Sequence, residues 1–135
     1  MIYLLDSNTC IQLLNAGDPR VRERYAACQP ADIVLCSVVR AELLFGARKS
    51  ARVQFNLQRL ETFAAPLQSL AFDDRCAHDY GLIRAGLALQ GKPIGANDLM
   101  IAAIALAHDL ILATHNTGEF GRFAGLRIED WERGR

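Results

Sequence analysis

No apolar run in the sequence approaches the ~20 residues that a membrane-spanning helix needs. The N-terminal residues carry an acid, Asp6, and no basic region, so they do not resemble a secretory signal. Repeats, low-complexity tracts and linkers are also absent. These absences predict a cytoplasmic protein with one domain over residues 1–135, and a hydrophobic content of 51% is enough for a substantial core.

Cysteine is sparse, and its spacing argues against two classes of protein. The four cysteines match neither a zinc-binding motif nor a dense disulfide framework. We therefore expect reduced thiols, most of them buried as small hydrophobic side chains. They are Cys10, Cys28, Cys36 and Cys76.

The sequence also lacks a glycine-rich phosphate-binding loop and an evident catalytic histidine. Its glycines do not have the spacing of GxGxxG or of a P-loop. His78 and His108 have no acid or cysteine at ligand spacing, which argues against catalysis by either. His115 lies beside an acidic segment and is a candidate for RNA contact, but a lone histidine explains hydrolysis less well than a metal does.

Neither sign of charge is in excess, because fifteen basic and fifteen acidic residues cancel. Net charge therefore neither requires nor excludes a nucleic-acid partner. Arginine supplies 13 of the basic residues and favours bidentate binding of phosphate or carboxylate. Basic residues form two clusters, which fit solvated helix faces as well as an RNA-binding surface. The clusters are Arg20, Arg22 and Arg24, and Arg40, Arg48, Lys49, Arg52 and Arg59.

The first eight residues have the pattern of a buried strand that ends at a carboxylate. The apolar run before Asp6 is too short for a helix, and Ser7 and Asn8 follow it. In an open parallel sheet, the carboxyl ends of the strands border the crevice where ligands bind. We therefore expect Asp6 to lie at the mouth of a functional cleft.

The rest of the chain alternates predicted strands and helices, which favours parallel pairing through right-handed crossovers. Predicted strands cover residues 33–36, 67–72, 110–113 and 126–128. The first predicted helix follows its cap at position 7 or 8 and ends at residue 14. The second begins at residue 19 and continues through at least 28. The others cover 37–45, 50–65, 73 or 74 to just before 91, and 99–107, and a short helical turn covers 117–123. The candidate N-caps are Ser7 or Asn8, Asp18, Ser37, Asp73 or Asp74, and Asn97 or Asp98. Gly46 and Gly91 are expected to end the helices that precede them.

Four acids are placed by these elements where they could converge. They are Asp6, Glu42, Asp98 and Glu119. Ordinary explanations exist for two of them, since Asp98 could cap a helix and Glu42 could be an exposed helical acid. Asp6 is harder to dismiss, because a carboxylate that ends an apolar strand needs a cap, an ion pair or a metal.

A cluster of carboxylates needs a cation to offset its repulsion. At a separation of about 4 Å, two such charges repel by roughly 1 kcal/mol in water and about 4 kcal/mol at an effective dielectric of 20. No lysine or arginine accompanies these acids in the sequence, and hard oxygen ligands suit Mg²⁺ or Mn²⁺. Magnesium held by carboxylates and substrate phosphate is suited to phosphodiester hydrolysis.

Five segments together resemble the PIN-domain ribonuclease toxins of the VapC type. They are LLDSN at residues 4–8, AEL at 41–43 with Gly46, GAND at 95–98 leading into IAA at 101–103, THNTGEF at 114–120, and GLRIEDW at 125–131. Each motif alone is weak, but together they are specific, and the resemblance covers essentially the whole chain.

This resemblance implies a three-layer α/β/α sandwich with a central parallel sheet of four to five strands and an Mg²⁺-dependent acidic pocket, in which Mn²⁺ can substitute. Asp6, Glu42 and Asp98 match the acids that hold metal in the family. The fourth position, often acidic, is Asn116 here, so that role is assigned to Glu119 or to shared water contacts. The implied reaction is attack of a water on phosphorus, giving a 5′-phosphate and a 3′-hydroxyl.

Four polar residues are implied to support the acids through hydrogen bonds. They are Ser7, Asn8, Thr114 and Asn116. Ser7 replaces the threonine that is commoner in the family and keeps its hydroxyl. Gly118 replaces a frequent arginine, which removes one contact to RNA.

The resemblance also implies partners. Toxins of this type form homodimers and are inhibited by a cognate antitoxin, with which they form a hetero-oligomer. The antitoxin's C-terminal segment crosses the pocket, often with a basic residue among the acids. The segment around Asn116 and the ending at Trp131 look most like the branch that cleaves initiator tRNA in the anticodon loop.

Three other classes of protein compete with this interpretation. A receiver-like signalling domain would have an acidic pair near the first strand and a late lysine, but Lys92 is the last lysine. A phosphatase that forms an aspartyl-phosphate would have an acid at position 8, where Asn8 stands. A non-catalytic RNA- or protein-binding module with a degraded pocket is supported only by Asn116, and it stays open.

Overall fold

A computed structural model describes residues 1–133 and contains one parallel sheet of five strands in the order β3-β2-β1-β4-β5. The strands are β1 Tyr3–Leu5, β2 Ile33–Cys36, β3 Gln68–Leu70, β4 Ile111–Ala113 and β5 Arg127–Glu129. The helices are α1 Ser7–Leu14, α2 Pro19–Ala26, α3 Ser37–Arg48, α4 Val53–Ala64, α5 Asp74–Leu89, α6 Ala96–Ala107 and α7 Thr117–Phe120, with a 3-10 turn at Pro30–Asp32. This confirms the predicted α/β/α class and its parallel sheet.

The strand order reverses between β1 and β4, which determines where a ligand can bind. From β1 the chain builds outward through β2 to β3, then crosses back to place β4 on the other side of β1. The connections leaving β1 and β4 therefore go in opposite directions, and a crevice opens at the carboxyl ends of these two strands. Asp6 follows β1 directly, so the sequence prediction for its location is confirmed.

The interior of the sheet explains why its strands read as continuous apolar runs. Leu4 and Leu5 are fully buried, and every residue of β2 is buried. Helix α6 is buried on several sides, since the consecutive residues 101–105 are all at most 1% exposed. Strands and helices that are covered on all faces lose their amphipathic pattern.

Several predicted helix ends are confirmed. Asp18 caps α2 through a hydrogen bond from the Arg20 backbone N–H, and Pro19 occupies the first helical position. Asp73 caps α5 by accepting from the backbone N–H of Cys76 at 3.1 Å. Gly91 has a φ of +66° just beyond α5, a left-handed conformation that glycine adopts without strain.

Other predicted helix ends are wrong, and each error has a physical cause. Helix α1 is capped by Asp6 rather than by Ser7 or Asn8. The capping position of α3 is Cys36 and not Ser37, whose hydroxyl oxygen instead accepts from the backbone N–H of Phe72 at 3.3 Å.

The end of α3 was also predicted wrongly. The helix continues through Gly46 to Arg48 instead of stopping at residue 45. A glycine lowers helix propensity by about 1 kcal/mol, which the packing of Leu43 and Ala47 against the core can offset. Smaller differences of one to three residues occur at the starts of α4 and β5 and at the end of α7.

Two further sequence expectations concern burial and the membrane. Cys10, Cys36 and Cys76 are buried, as predicted. Within residues 1–133, no helix is both long enough and apolar enough to cross a membrane.

Candidate active site

A cavity of about 120 Å³ opens at the carboxyl ends of β1 and β4. It is lined by Asp6, Ser7, Asn8, Glu42, Asp98, Ile101, Asn116 and Phe120. The structure thus brings together three of the four predicted acids and three of the four predicted supporting residues. None of these lining residues is basic.

Asp6 is held rigidly at the junction of β1 and α1. Its backbone N–H donates to the carbonyl of Ala113 in β4 at 3.2 Å, and its side chain is almost fully buried. The Oδ1 atom accepts from the backbone N–H of Thr9 at 2.9 Å, which caps α1. The positive end of the α1 dipole stabilises a carboxylate in this position.

Glu42 faces the cavity from the second turn of α3. Its Oε1 atom accepts a hydrogen bond from the Ser7 hydroxyl at 2.8 Å, so α1 and α3 are linked at the cavity wall. Glu42 is half-buried and lines the cavity, which differs from the alternative that it is an ordinary exposed acid. The hydrogen bond fixes the direction of its carboxylate.

Asp98 lies in the first turn of α6 but does not cap that helix. The capping position is Gly95, and α6 has no side-chain cap, so the prediction that Asn97 or Asp98 starts the helix as its cap is wrong. The helix begins at Ala96, three residues before the predicted start at Leu99. The Asp98 carboxylate is therefore available to the cavity.

The neighbouring acids act strongly on Asp98. Burial and the other carboxylates raise the pKa of Asp98 from 3.8 to about 6. Burial is the largest cause, followed by the charge of Glu119 and a hydrogen bond with it, and then by the charges of Glu42 and Asp6. All four predicted acids are therefore close enough to interact.

Glu119 interacts with Asp98 and is itself oriented by a hydrogen bond from Asn116. The Asn116 Nδ2 atom donates to Oε2 of Glu119 at 2.7 Å, and the Asn116 backbone N–H donates to the Thr114 hydroxyl oxygen at 3.0 Å. Thr114 is buried at the end of β4. Asn116, which occupies the fourth position of the family's acidic set, thus orients Glu119 three residues further on.

The residues of the cavity fit a hard divalent cation. The donor atoms are carboxylate, hydroxyl and amide oxygens, which are the ligands that hard divalent cations prefer. Within residues 1–133, the one set of three His, Cys, Asp or Glu ligand atoms that all lie within 4.8 Å of one another is elsewhere, at His115, Asp130 and Glu132. Mg²⁺ does not require such a set, because it keeps several water ligands and binds through one or two carboxylates.

A larger groove adjoins the acidic cavity and was missed by sequence reasoning. It measures about 540 Å³, runs along α1, α3 and α4, and shares Ser7, Asn8 and Glu42 with the cavity. Apolar and basic side chains line the rest of it. They include Ile11, Leu14, Phe45, Lys49, Arg59 and Leu60. The clue in the sequence was the basic cluster around Lys49, whose position beside an exposed Phe45 only the fold reveals.

The fold and the cavity define a three-layer α/β/α domain with a carboxylate pocket at the switch point of its sheet. Comparison with known families matches residues 3–126 to the PIN domain. The chain belongs to the PIN domain family and, within it, to the ribonuclease toxins of the VapC type.

The curated relatives of this chain include VapC ribonucleases from several bacteria. The chain is 42% identical over 129 residues to the tRNA(fMet)-specific endonuclease VapC of Shigella flexneri, covering 96% of this chain and 97% of the relative. It is 35% identical over 134 residues to the ribonuclease VapC2 of Rickettsia felis, covering 98% of this chain and all of the relative.

Solved structures show the same fold. The DNA-bound VapBC complex of Salmonella typhimurium contains a chain that is 38% identical, with a TM-score of 0.91 and coverage of 97% and 98% of the two chains. The VapBC2 complex of Rickettsia felis, bound to a promoter DNA fragment, gives a TM-score of 0.90 at 34% identity and covers 97% of this chain and 99% of its counterpart.

Proposed function

We propose that this protein is the toxic endoribonuclease of a toxin-antitoxin module and hydrolyses RNA phosphodiester bonds with Mg²⁺, for which Mn²⁺ can substitute. The observation that carries the proposal is the cavity that Asp6, Glu42 and Asp98 line without any basic residue. Glu119 is close enough to act on Asp98, whose pKa burial and the neighbouring acids raise to about 6. The ribonuclease names of the relatives support it.

In this proposal Asp6 and Asp98 would hold the cation directly or through water, and Glu42 and Glu119 would complete its shell or orient the attacking water. When bound, the cation would lower the pKa of a water ligand and neutralise charge on the phosphate. The water oxygen bonds to phosphorus and loses a proton as the bond from phosphorus to the 3′ oxygen breaks. The leaving 3′ oxygen takes up a proton, so the products are a 5′-phosphate and a 3′-hydroxyl.

The supporting residues orient two of the acids. The Ser7 hydroxyl donates to Glu42, and the Asn116 amide donates to Glu119. The Thr114 hydroxyl oxygen accepts from the backbone N–H of Asn116, and Asn8 lines both the cavity and the groove. Because Glu42 and Glu119 are oriented before substrate binds, they need little reorganisation during the reaction.

We propose tRNA as the substrate, and initiator tRNA cut in the anticodon loop as the specific target. The support is the name of the Shigella flexneri relative, a tRNA(fMet)-specific endonuclease with 42% identity over nearly the full length of both chains. A tRNA substrate would also place the activity in the cytoplasm.

We propose a cognate antitoxin and a second copy of this chain as protein partners. The similar chains of Salmonella typhimurium and Rickettsia felis belong to VapBC complexes, which supports the antitoxin. The groove provides apolar surface directly beside the acids, so a partner segment lying in it could direct a basic side chain toward Asp6, Glu42 and Asp98. Such a cation would offset the same charge that a metal offsets.

The alternative is a non-catalytic RNA- or protein-binding module, which the amide at Asn116 favours. An amide contributes no charge to the cavity, so a cation could be held more weakly than in a site with an acid at position 116. Metal-dependent cleavage separates the two functions.

The test is incubation of antitoxin-free protein with total tRNA and with total cellular RNA, in Mg²⁺, in Mn²⁺ and in chelator. We expect discrete cuts in either metal and none in chelator. Asp98→Asn should abolish cleavage, since it removes one charge and keeps the side-chain shape. Glu61→Gln, a change of an exposed acid on α4, should cleave normally.

Mapping the new ends would identify the RNA and the cut site. If folded, metal-loaded protein cuts neither RNA pool, the binding module becomes the better explanation. If Asp98→Asn cleaves as well as the unchanged protein, the assignment of the acidic cavity is wrong.

A further inference from the structure

A second cluster of potential metal ligands lies outside the acidic cavity, where two neighbouring strands end. His115 stands two residues beyond β4, and Asp130 directly follows β5, which pairs with β4 in parallel. Glu132 follows two residues later. The His115 Nδ1 atom is 3.0 Å from Oδ2 of Asp130 and 3.2 Å from Oε2 of Glu132.

These distances match the first coordination shell of a transition metal. Bonds of about 2.0–2.1 Å to nitrogen and oxygen in a tetrahedral zinc site place neighbouring ligand atoms roughly 3.3 Å apart. One imidazole nitrogen and two carboxylate oxygens form a mixed donor set, unlike the all-oxygen set of the acidic cavity. Their ligand atoms all lie within 4.8 Å of one another.

The Asp130 carboxylate and the backbone that carries Glu132 are held in place before any cation binds. The Asp130 side chain is only 6% exposed, and its Oδ1 atom accepts from the backbone N–H of Glu132 at 2.9 Å. Between them, Trp131 is buried and packs edge-on against Tyr3, with ring centroids 5.3 Å apart. Anchoring of this kind reduces the ordering that metal binding would otherwise require.

The surrounding charges permit a cation. The Arg133 Nε atom is 3.3 Å from Oδ2 of Asp130, but the Arg133 side chain is 76% exposed and can swing into solvent. Arg20, whose charge also reaches Asp130 and Glu132, is already paired with Asp18 at 2.7 Å. The two carboxylates would balance the charge of a divalent ion.

We propose that His115, Asp130 and Glu132 form a second metal site that takes a transition metal of the zinc class and leaves one coordination position to water. The ion would join the segment after β4 to the segment after β5. Because Asn116 and Glu119 follow His115 in the chain, it would also stabilise the turn that faces the acidic cavity. The metal site itself does not depend on the proposed nuclease function.

The chain provides its own reporter for this site. Trp131 is the only tryptophan, and it lies between two of the three ligands. Titration of metal-free full-length protein with Co²⁺ should quench its fluorescence with a single saturable phase and give visible absorption typical of tetrahedral coordination that includes nitrogen. Zn²⁺ should reverse both signals.

Substitutions of the proposed ligands test whether the bound ion lies at this site. His115→Gln and Glu132→Gln should each weaken Co²⁺ and Zn²⁺ binding by at least about tenfold, and His115→Gln should abolish the tetrahedral absorption. Matched controls are His78→Gln, an exposed histidine on α5, and Asp98→Asn in the acidic cavity; both should keep the signal. Circular dichroism would confirm that each variant is folded, which is expected because His115 is exposed.

Three results would overturn the proposal. Absence of saturable quenching in the unchanged protein would show that His115 forms an ion pair only. Equal binding by His115→Gln and the unchanged protein, or loss of the signal in Asp98→Asn alone, would assign the bound ion to the acidic cavity.

Discussion

Asp98 is the residue on which burial and the charges of the other three acids act together. Its position in the first turn of α6 suggests a helix cap, yet Gly95 occupies the capping position and no side chain caps the helix. Its carboxylate is therefore subject mainly to burial and to the acids around it, which raise its pKa to about 6.

That pKa gives a prediction for stability in metal-free buffer. A carboxyl group with a higher pKa in the folded chain than in the unfolded chain destabilises the fold once it ionises. The penalty is absent below about pH 4, grows as the pH rises through about 6 and is constant above that value. Asp98→Asn removes it, so the variant should have a higher Tm than the unchanged protein at neutral pH and the same Tm near pH 4.

Thermal unfolding in chelator across this pH range measures the effect. Glu61→Gln, on the exposed face of α4, is the matched control and should show no such pH-dependent difference. A Tm for Asp98→Asn below that of the unchanged protein at neutral pH would contradict the electrostatic account.

At the scale of elements, Asp6 connects β1 to α1 and has two separate tasks. It accepts the backbone N–H of Thr9 as the cap of α1, and it lines the acidic cavity. The first task needs a side-chain oxygen, whereas the second needs a negative charge.

Two substitutions separate these tasks. Asp6→Asn keeps a capping oxygen and should leave the free energy of unfolding nearly unchanged while abolishing metal-dependent cleavage. Asp6→Ala should also be inactive and lose a further ~1 kcal/mol of stability, because the cap is gone. Urea unfolding and the RNA cleavage assay measure the two effects independently.

Asp18→Ala is the matched control, since Asp18 caps α2 without lining the cavity. It should lose a similar amount of stability and retain cleavage. Equal stability of Asp6→Asn and Asp6→Ala would show that the cap contributes little to α1.

For the whole molecule, the segment after β5 packs the last strand against the rest of the fold. Trp131 is buried against Tyr3 of β1, and the Arg24 guanidinium lies 5.9 Å from its ring. Arg24 also pairs with Glu129 at the end of β5. The last strand is thus joined to the central strand and to α2.

Removing the Trp131 ring should therefore destabilise the entire fold. Trp131→Ala should lower the free energy of unfolding by about 3–5 kcal/mol, the usual cost of deleting a buried aromatic side chain. Trp131→Phe should cost less, because the indole N–H has no hydrogen-bond acceptor within residues 1–133. Phe55→Ala, at a 46% exposed aromatic, should cost far less, and an equal loss there would contradict the role of Trp131.

The sequence alone predicted much of this architecture because its signals are local. Continuous apolar runs indicated β1 and β2, and the Asp18–Pro19 pair indicated the start of α2. The family resemblance supplied the α/β/α sandwich, which the structure confirms. Asp6 was placed correctly because a strand that ends at a carboxylate has few alternatives.

Other features were misread because local signals competed. Ser37 and Asp98 are good capping residues, but the capping positions of α3 and α6 are Cys36 and Gly95. Gly46 is a common helix end, yet packing on both sides of it carries α3 two residues further. The metal-binding and catalytic roles of the four acids stay predictions.

By itself the sequence determined which residues are apolar, which strands are buried and which acids follow strand ends, since these properties depend on neighbours a few positions apart. Only the tertiary structure decided that Glu119 acts on Asp98, that Ser7 holds Glu42, and that His115 meets Asp130. Each of these pairs joins different segments of the chain. Their distances depend on strand register and helix packing, which no local pattern encodes.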